Sequence, residues 1–344
     1  MIRLERRVDQ PRWLSAAVPA ASVVAALVVG AVVLLVTGHD PLDTYRQILE
    51  RGFTADGAFS ATVVAASPLL FTGLAAAVAF RMGVFNIGGE GQLVMGAIGA
   101  SGVGLALGGS QPLAVTMVAM VVAGAAAGAV WAGISGALRA WAGTNEIITW
   151  RKLDGSGLMF PQGRTLVPEA FWPSYTIGSV EVPFGFLFGV VLAVGLFVLF
   201  RNTRFGFQVK VIGDEPRAAR FAGMNTARVT FALMALSGAV AGLGGASDVG
   251  DTRHVLDPKA LGQAGYGYAG IVVAALARLN PLAVVVTSLL MGGLNNAGRA
   301  LQGADFPAGL VGTLQGLLLV CVLTGETFAR YRVRRTAAPR AVTA

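Results

Sequence analysis

Residues 213–223 read GDEPRAARFAG, a short polar stretch between two long apolar ones, FGFLFGVVLAVGLFVLF (184–200) and VTFALMALSGAVAGLGGA (229–246). Asp214 suits a helix N-cap, Pro216 its first turn and Gly223 its end, so the stretch predicts one capped helix of two or three turns. Glu215, Arg217, Ala218 and Ala219 make up its body. The surrounding interval 201–228 carries six basic residues against two acids. An excess of arginine and lysine beside membrane spans marks the cytoplasmic side. A membrane chain that shows the cytoplasm a capped, alanine-rich helix is offering it to a soluble partner.

Composition agrees. Apolar residues make up 55% of the chain and charged residues 13%, where soluble globular proteins carry about 25% charge. Mean hydropathy is +0.68, and the 47 glycines suit helices whose backbones approach closely. The net charge of +8 is not a nucleic-acid footprint. Its basic residues concentrate in the first thirteen positions, the 201–228 loop and the tail 330–344, with no basic face between. The lone Cys321 rules out a disulfide framework. His39 and His254 have no ligand-spaced partners, which argues against a metal site. Phosphate-loop, nucleophile-elbow and HExxH patterns are missing, so no catalytic residues are assigned.

Roughly 20 apolar residues cross a bilayer, and the chain offers nine such spans: 14–37, 59–80, 88–107, 112–138, 184–200, 229–246, 260–277, 281–298 and 307–325. The expected fold is an all-α polytopic membrane bundle, one transmembrane domain over 1–344. Arg3, Arg6, Arg7 and Arg12 hold the N-terminus inside. The first apolar run is too long for a cleaved leader and should remain as an anchor. The segments 39–56 and 248–259 read as outer loops. Nine is odd, however, while both termini and the 201–228 loop all favour the cytoplasm. Parity works up to Arg139 and again from Phe184, so one crossing is missing between them.

Polar groups inside spans are few: Asn86, Glu90 and Gln92 in GVFNIGGEGQLVMGA (83–97), Asn295 and Asn296, and Gln315. A lone carboxylate at the bilayer centre costs about 2.5–3.5 kcal/mol or more. Glu90 should therefore face the bundle interior, water or a partner group. The glycines at 88, 89 and 91 allow an irregular backbone, tolerated at depth where it is buried or lines a cavity. These residues are candidates for a translocation path, and a hydrogen-bonded packing knot explains them equally well. A faint repeat aligns Gly73 and Arg81 with Gly270 and Arg278, as in transporters built from two similar halves. Snorkelling at helix ends explains both arginines.

Several long motifs occur in order: GVFNIGGEGQLVMGA; GTNEII from Gly143; Ala218-Ala219-x-x-x-Gly223; GYGYAGIVVAALARLNPLAVVVTSLLMGGLNNAG from Gly265; and Pro307, Leu310, Gln315, Gly316 and Leu319. Together they resemble the permease subunits of bacterial ABC importers for branched-chain amino acids, simple sugars and nucleosides, most of all the nucleoside type. The resemblance implies a multi-pass protein of the bacterial plasma membrane with both termini cytoplasmic. It also implies that 201–228 is a coupling loop seated in a groove of an ATPase subunit. Implied partners are two ATPase subunits, a second permease identical or homologous, an extracytoplasmic substrate-binding protein and the bilayer. ATP would be bound on the ATPase partner and no cofactor by this chain. Nucleosides are the first reading of the cargo. A ribose-like sugar, ion-coupled carriage and an inactive remnant are the alternatives.

The resemblance also bears on parity. The family continues from G-T-N-E-V into a further span, whereas GTNEIIT here runs at Thr149 into WRKLDGSGLMFPQG, similar to the family's later outer loop. A block of about one span (roughly 20 residues) is missing. Either residues 143–183 recross the bilayer or half the molecule inverts.

Overall fold

The computed structural model describes residues 2–6, 14–143, 163–301 and 309–335. In chain order the elements are β1 (Ile2–Arg6), α1 (Leu14–Val36), α2 (Pro41–Leu49), α3 (Ala58–Phe80), α4 (Gly89–Leu107) and α5 (Leu113–Ala142). There follow the hairpin β2 (Ser174–Ile177) and β3 (Val180–Pro183), then α6 (Phe184–Asn202), α7 (Arg204–Asp214), α8 (Pro216–Phe221) and α9 (Thr226–Ser247). The chain closes with α10 (Pro258–Ala264), α11 (Tyr266–Leu276), α12 (Pro281–Ala300), α13 (Leu310–Arg330) and β4 (Tyr331–Arg335). Two π-helical turns, Glu50–Thr54 and Asp248–Arg253, extend α2 and α9. Helix dominates, as composition predicted.

The described residues form two compact units, Met1–Tyr45 with Pro307–Ala344, and Arg46–Phe306. In the terminal unit α1 packs against α13. Gly30 lies against Leu314 and Gly325 against Ser22, so the two helices run antiparallel. β1 pairs antiparallel with β4, Ile2 opposite Arg335 and Arg6 opposite Tyr331. Ile2 and Arg335 therefore lie at the same end of this unit. A chain whose ends share one side of a membrane crosses it an even number of times.

In the larger unit α3 is central, with Leu69, Leu70, Phe71 and Leu74 fully buried. It is flanked by α9, α11 and α12. A second seam joins α4, α5 and α9, and small residues make it. A β-carbon added at Gly128 of α5 would fall 2.8 Å from the Gly242 Cα of α9, and nearer still to the Gly238 oxygen. One added at Gly124 would fall 2.8 Å from the Ala246 methyl. Hydrocarbon supplies no hydrophobic drive between helices, so close van der Waals packing must hold them together. The outward faces are apolar, as at Val118, Val122 and Val130 of α5.

Among the described residues six helices are long and apolar enough to cross a membrane: α3, α4, α5, α6, α9 with its π-helical extension, and α12. Shorter apolar helices cover Ala20–Val36 and Gly312–Gly325. The expected continuous span over 260–277 is corrected. Gly265, at φ +61°, breaks it into α10 and α11, and the 11 residues of α11 cover only about 16 Å of the 30 Å hydrocarbon. The expected outer loop 248–259 is corrected in part, because its first six residues continue α9 as a π-helical turn.

The structure also shows where the chain changes side. α5 and α9 are antiparallel: Gly124 meets Ala246 and Gly136 meets Met234, and Trp141 lies 5.4 Å from Phe231. Gly143 thus lies at the N-terminal end of α9. Gly163 lies beyond its other end, its N–H donating to the Leu256 carbonyl at 2.8 Å. Leu166 N–H donates to His254 O, and Trp172 N–H to Gly250 O. Gly143 and Gly163 thus lie at opposite ends of α9, inside the interval 139–184 where charge parity placed a missing crossing. From residue 229 to 256 a helix spans about 40 Å, and 20 peptide steps reach up to about 66–72 Å. The halves therefore need not invert. Residues 144–162, where the lost block was placed, lie outside the described residues.

Candidate functional site

The N-terminal end of α4 is organised by its polar residues. Gly83, at φ +70°, turns the chain after α3 and brings Asn86 back over the first turn of α4. Asn86 Nδ2 donates to Gln92 Oε1 and Gln92 Nε2 to Asn86 Oδ1, both at 2.8 Å. Asn86 Nδ2 also donates to Ser237 Oγ on α9, whose hydroxyl donates to the Ala75 carbonyl of α3, each at 2.7 Å. Gln92 is fully buried and Asn86 is 3% exposed. The two amides tie α4, α9 and α3 together, and burial without such partners would cost about 1–3 kcal/mol per group.

Glu90 points elsewhere. Its Oε2 accepts the Gly267 N–H at 2.6 Å, at the second residue of α11. The first amides of a helix have no partner within it and carry partial positive charge. A carboxylate from α4 therefore caps the helix that begins at the Gly265 break. Gly267 has no room for a side chain, since an added β-carbon would sit 2.8 Å from Glu90 Cα. Asn296 Nδ2 donates to the carbonyls of Arg51 and Ala58 at 3.2 and 3.1 Å, fastening α12 to the start of α3. Asn295 is half-buried on α12, and Gln315 is half-buried on α13 in the terminal unit. The structure thus joins Asn86 to Gln92 and Glu90 to the α11 break, while Asn296 sits in a separate linkage.

Sequence reading missed the polar cluster that follows α9. Asp248, 4% exposed, accepts Arg253 Nε at 2.6 Å. Asp251 accepts the Gly185 N–H of α6 and the Ser247 hydroxyl at 3.0 and 2.8 Å. Ser247 also meets Ser67 of α3. Asp251 thus caps α6 as Glu90 caps α11. The i,i+5 pairing of Asp248 with Arg253 needs a π-turn, to which a 3.6-residue pattern is blind. His254 adopts φ +54° and stacks on Phe171, centroids 3.6 Å apart. Burial lowers its pKa below the ordinary 6.5. No group of metal-binding side chains occurs among the described residues.

At the other end lie α7 and α8. Thr203 caps α7 through the Gly206 N–H at 3.2 Å. Val209 and Ile212 bury its apolar face, and a β-carbon at Gly213 would lie 2.5 Å from the Arg81 carbonyl. The expected cap at Asp214 is corrected: Asp214 is the last residue of α7, and Glu215 takes the N-cap position without a side-chain hydrogen bond. A proline directly behind Glu215 stops α7 and starts α8. At the far end Gly223, φ +75°, donates to Arg220 O and Met224 to Ala219 O, the paired bonds of a Schellman closure. Ala219 is buried against the body, whereas Arg217, Ala218 and Arg220 face out. Phe207 is 61% and Phe221 94% exposed.

A bundle of helices long and apolar enough to cross a membrane, with carboxylates capping α11 and α6 and a short-helix pair at one end, is the build of a polytopic membrane protein. The chain belongs to the family described as the branched-chain amino acid transport system / permease component, which matches residues 58–323. It is 33% identical to the glucose ABC transporter permease protein TsgB13 of Haloferax volcanii, over 96% of this chain and 93% of that one. It is 29% identical to the guanosine ABC transporter permease protein NupP of Bacillus subtilis, over 80% and 84%. It is 26% identical to the nucleoside ABC transporter permease protein NupB of Lactococcus lactis, over 86% of each chain. No solved structure matches. The chain is a translocation subunit, not an enzyme.

These alignments carry a length signal. The one with the Haloferax protein runs over 358 positions, while 96% of this chain is about 330 residues, leaving about 28 positions without a counterpart. With the Bacillus protein, 295 positions against 80% of the chain leave about 20. Each shortfall is the size of one membrane span.

Proposed function

We propose that this chain is the membrane subunit of an ATP-driven, binding-protein-dependent importer for nucleosides, with α8 as its contact to the ATPase. The observation that carries the ATPase contact is Phe221, 94% exposed on a helix closed at Gly223 and seated on the body by buried Ala219. An aromatic held so far into water has no reason within its own chain, and docked aromatics are frequent anchors of protein interfaces. Ala218 beside it permits close approach, and Arg217 and Arg220 favour an acidic groove. The positive-inside excess of 201–228 favours the cytoplasmic side for α8, and the basic residues flanking each terminus favour the same side for the chain ends. A second permease subunit and an extracytoplasmic binding protein complete the assembly.

Glu90 and the broken α10–α11 segment form the path wall in this reading, with Asn86 and Gln92 bracing it from behind and Asn295 and Asn296 as its further polar candidates; Gln315 is the polar candidate of the terminal unit. Nucleosides are the first cargo because two relatives are described as guanosine and nucleoside permeases. A monosaccharide is the second, favoured by the 33% identity to a glucose permease. Uptake into proteoliposomes holding permease, ATPase and binding protein tests both, with guanosine, uridine, ribose and glucose as cargo. Uptake that needs ATP and prefers nucleosides supports the proposal. ATP-dependent uptake of glucose alone moves it to sugars, and uptake without the ATPase overturns it.

A further inference from the structure

An open pocket of about 460 Å³ lies among the ends of α3 and α6 and the turn joining α11 to α12. Three arginines line it: Arg81 after α3, Arg201 in the last turn of α6 and Arg278 in the turn. Phe197, Phe200, Leu279 and Asn280 complete the wall, and none of its lining residues is acidic. The arginines are held in place. Arg81 Nη2 donates to the Leu279 carbonyl at 2.7 Å, and its guanidinium lies 4.5 Å above the Phe200 ring. Arg201 lies 5.6 Å from the Phe197 ring centre. Arg81 Nε is buried and donates to nothing, and burial pulls the pKa of this arginine below its usual value.

The turn itself is strained. Arg278 and Leu279 take φ values of +49° and +60°, a left-handed conformation that costs a non-glycine residue about 1–2 kcal/mol. Strain of this kind persists where the surroundings over-determine it, and it concentrates at binding sites. Here it holds the carbonyl that anchors Arg81 and sets Arg278 at the pocket rim. The repeat relating Arg81 to Arg278 in sequence thus ends with both arginines on one pocket. Snorkelling accounts for neither the convergence nor the buried Nε.

We propose that this pocket binds the phosphate headgroup of an anionic phospholipid. Guanidinium groups match phosphate oxygens in paired hydrogen bonds, and basic pockets between spanning helices bind anionic headgroups. A lipid fits better than a soluble phosphate because the flanking helices offer the acyl chains a surface. α6 and α12 pack together, and both expose apolar side chains in the turns nearest the pocket, Val194 and Val198 on one and Leu282 and Val286 on the other. The headgroup meets the cations while its chains lie along these valines and leucine. Lipid bound here ties α3, α6 and α12 together at the end that carries α7. The inference goes beyond the importer reading and needs neither cargo nor ATPase.

The test is lipid retention by the full-length protein in detergent, read by native mass spectrometry after equal exposure to phosphatidylglycerol and phosphatidylcholine. The wild type should retain phosphatidylglycerol preferentially. Arg201→Gln with Arg278→Gln, both at exposed positions, should weaken that retention by about thirtyfold, the size expected of two arginine–phosphate contacts at a membrane surface. Arg204→Gln, outside the pocket, should leave it unchanged. Equal retention by the double variant, equal loss in Arg204→Gln, or displacement by inorganic phosphate at matching concentration would each overturn the proposal. Transport is not read, so this result and that of the uptake experiment stand apart.

Discussion

Replacing Gly128 with alanine should open the seam between α4, α5 and α9. The new methyl would sit 2.8 Å from the Gly242 Cα and closer still to the Gly238 carbonyl, where carbon atoms normally rest about 3.5–4.0 Å apart. Both neighbours are backbone, so no side chain can swing aside and the helices must separate by about 1 Å. A gap of that size forfeits a quarter to a half of the dispersion well of every facing pair. Overpacking of this kind costs about 1–3 kcal/mol, and each kcal/mol shifts the melting temperature of a chain of 344 residues by about 1–2 °C. Gly195→Ala on α6 is the matched control, because nothing lies within 4 Å of its added methyl. It should be neutral or raise stability by up to about 1 kcal/mol through helix propensity.

The assay is thermal unfolding of the detergent-purified protein, with monodispersity as readout. Gly128→Ala should melt about 1–6 °C below wild type. Gly128→Ala with Gly242→Ala should lose less than the two single losses added, since the first separation makes room for the second methyl. A Gly128→Ala protein as stable as Gly195→Ala, or strictly additive losses, would refute backbone contact as the glue of this seam.

Three further outcomes follow. Glu90→Leu should lower stability by about 1–3 kcal/mol by leaving the Gly267 N–H without its acceptor, and should reduce uptake. Glu90→Gln keeps an acceptor and should restore the melting temperature, so its uptake rate reports the carboxylate charge alone. Because burial holds the folded pKa of His254 below 6.5, its neutral form is favoured in the fold. Stability should therefore be flat above about pH 6.5 and fall as pH drops below it toward the folded pKa. Melting curves from pH 5 to 8 should lose that dependence in His254→Phe. Phe221→Ala, and separately Gly223→Trp, should leave membrane insertion intact while weakening co-purification of the ATPase by about thirtyfold, as loss of a 2 kcal/mol anchor requires.

Much of this was legible in the sequence because bilayers are strict about length and charge. The runs at 59–80, 112–138 and 184–200 appear as α3, α5 and α6 within a few residues. Charge parity placed a missing crossing between Arg139 and Phe184, and Gly143 and Gly163 lie at opposite ends of α9. Pro216 and Gly223 marked α8, but Asp214 did not mark its cap. The same residue can end α7 as readily as start the next helix, and only Glu215, left between them by Pro216, decides. The break at Gly265 was hidden because GYGYAGIVVAAL is apolar throughout, and hydropathy registers no change when a helix stops and restarts. The partners of Glu90 and Asp251 were hidden for another reason. Both are backbone amides, of Gly267 and Gly185, and amides carry no sequence signal. The arginine pocket is visible only once three distant helix ends converge.

The most direct test of the ATP-coupled importer is the position and cover of α8. Ala218→Cys, exposed on α8, is placed in a Cys321→Ala background and treated with a membrane-impermeant thiol reagent. Modification in inside-out vesicles, blocked when ATPase subunits are added and negligible in right-side-out vesicles, is the result expected. Modification from the outer face of a stably inserted, transporting protein would contradict the account.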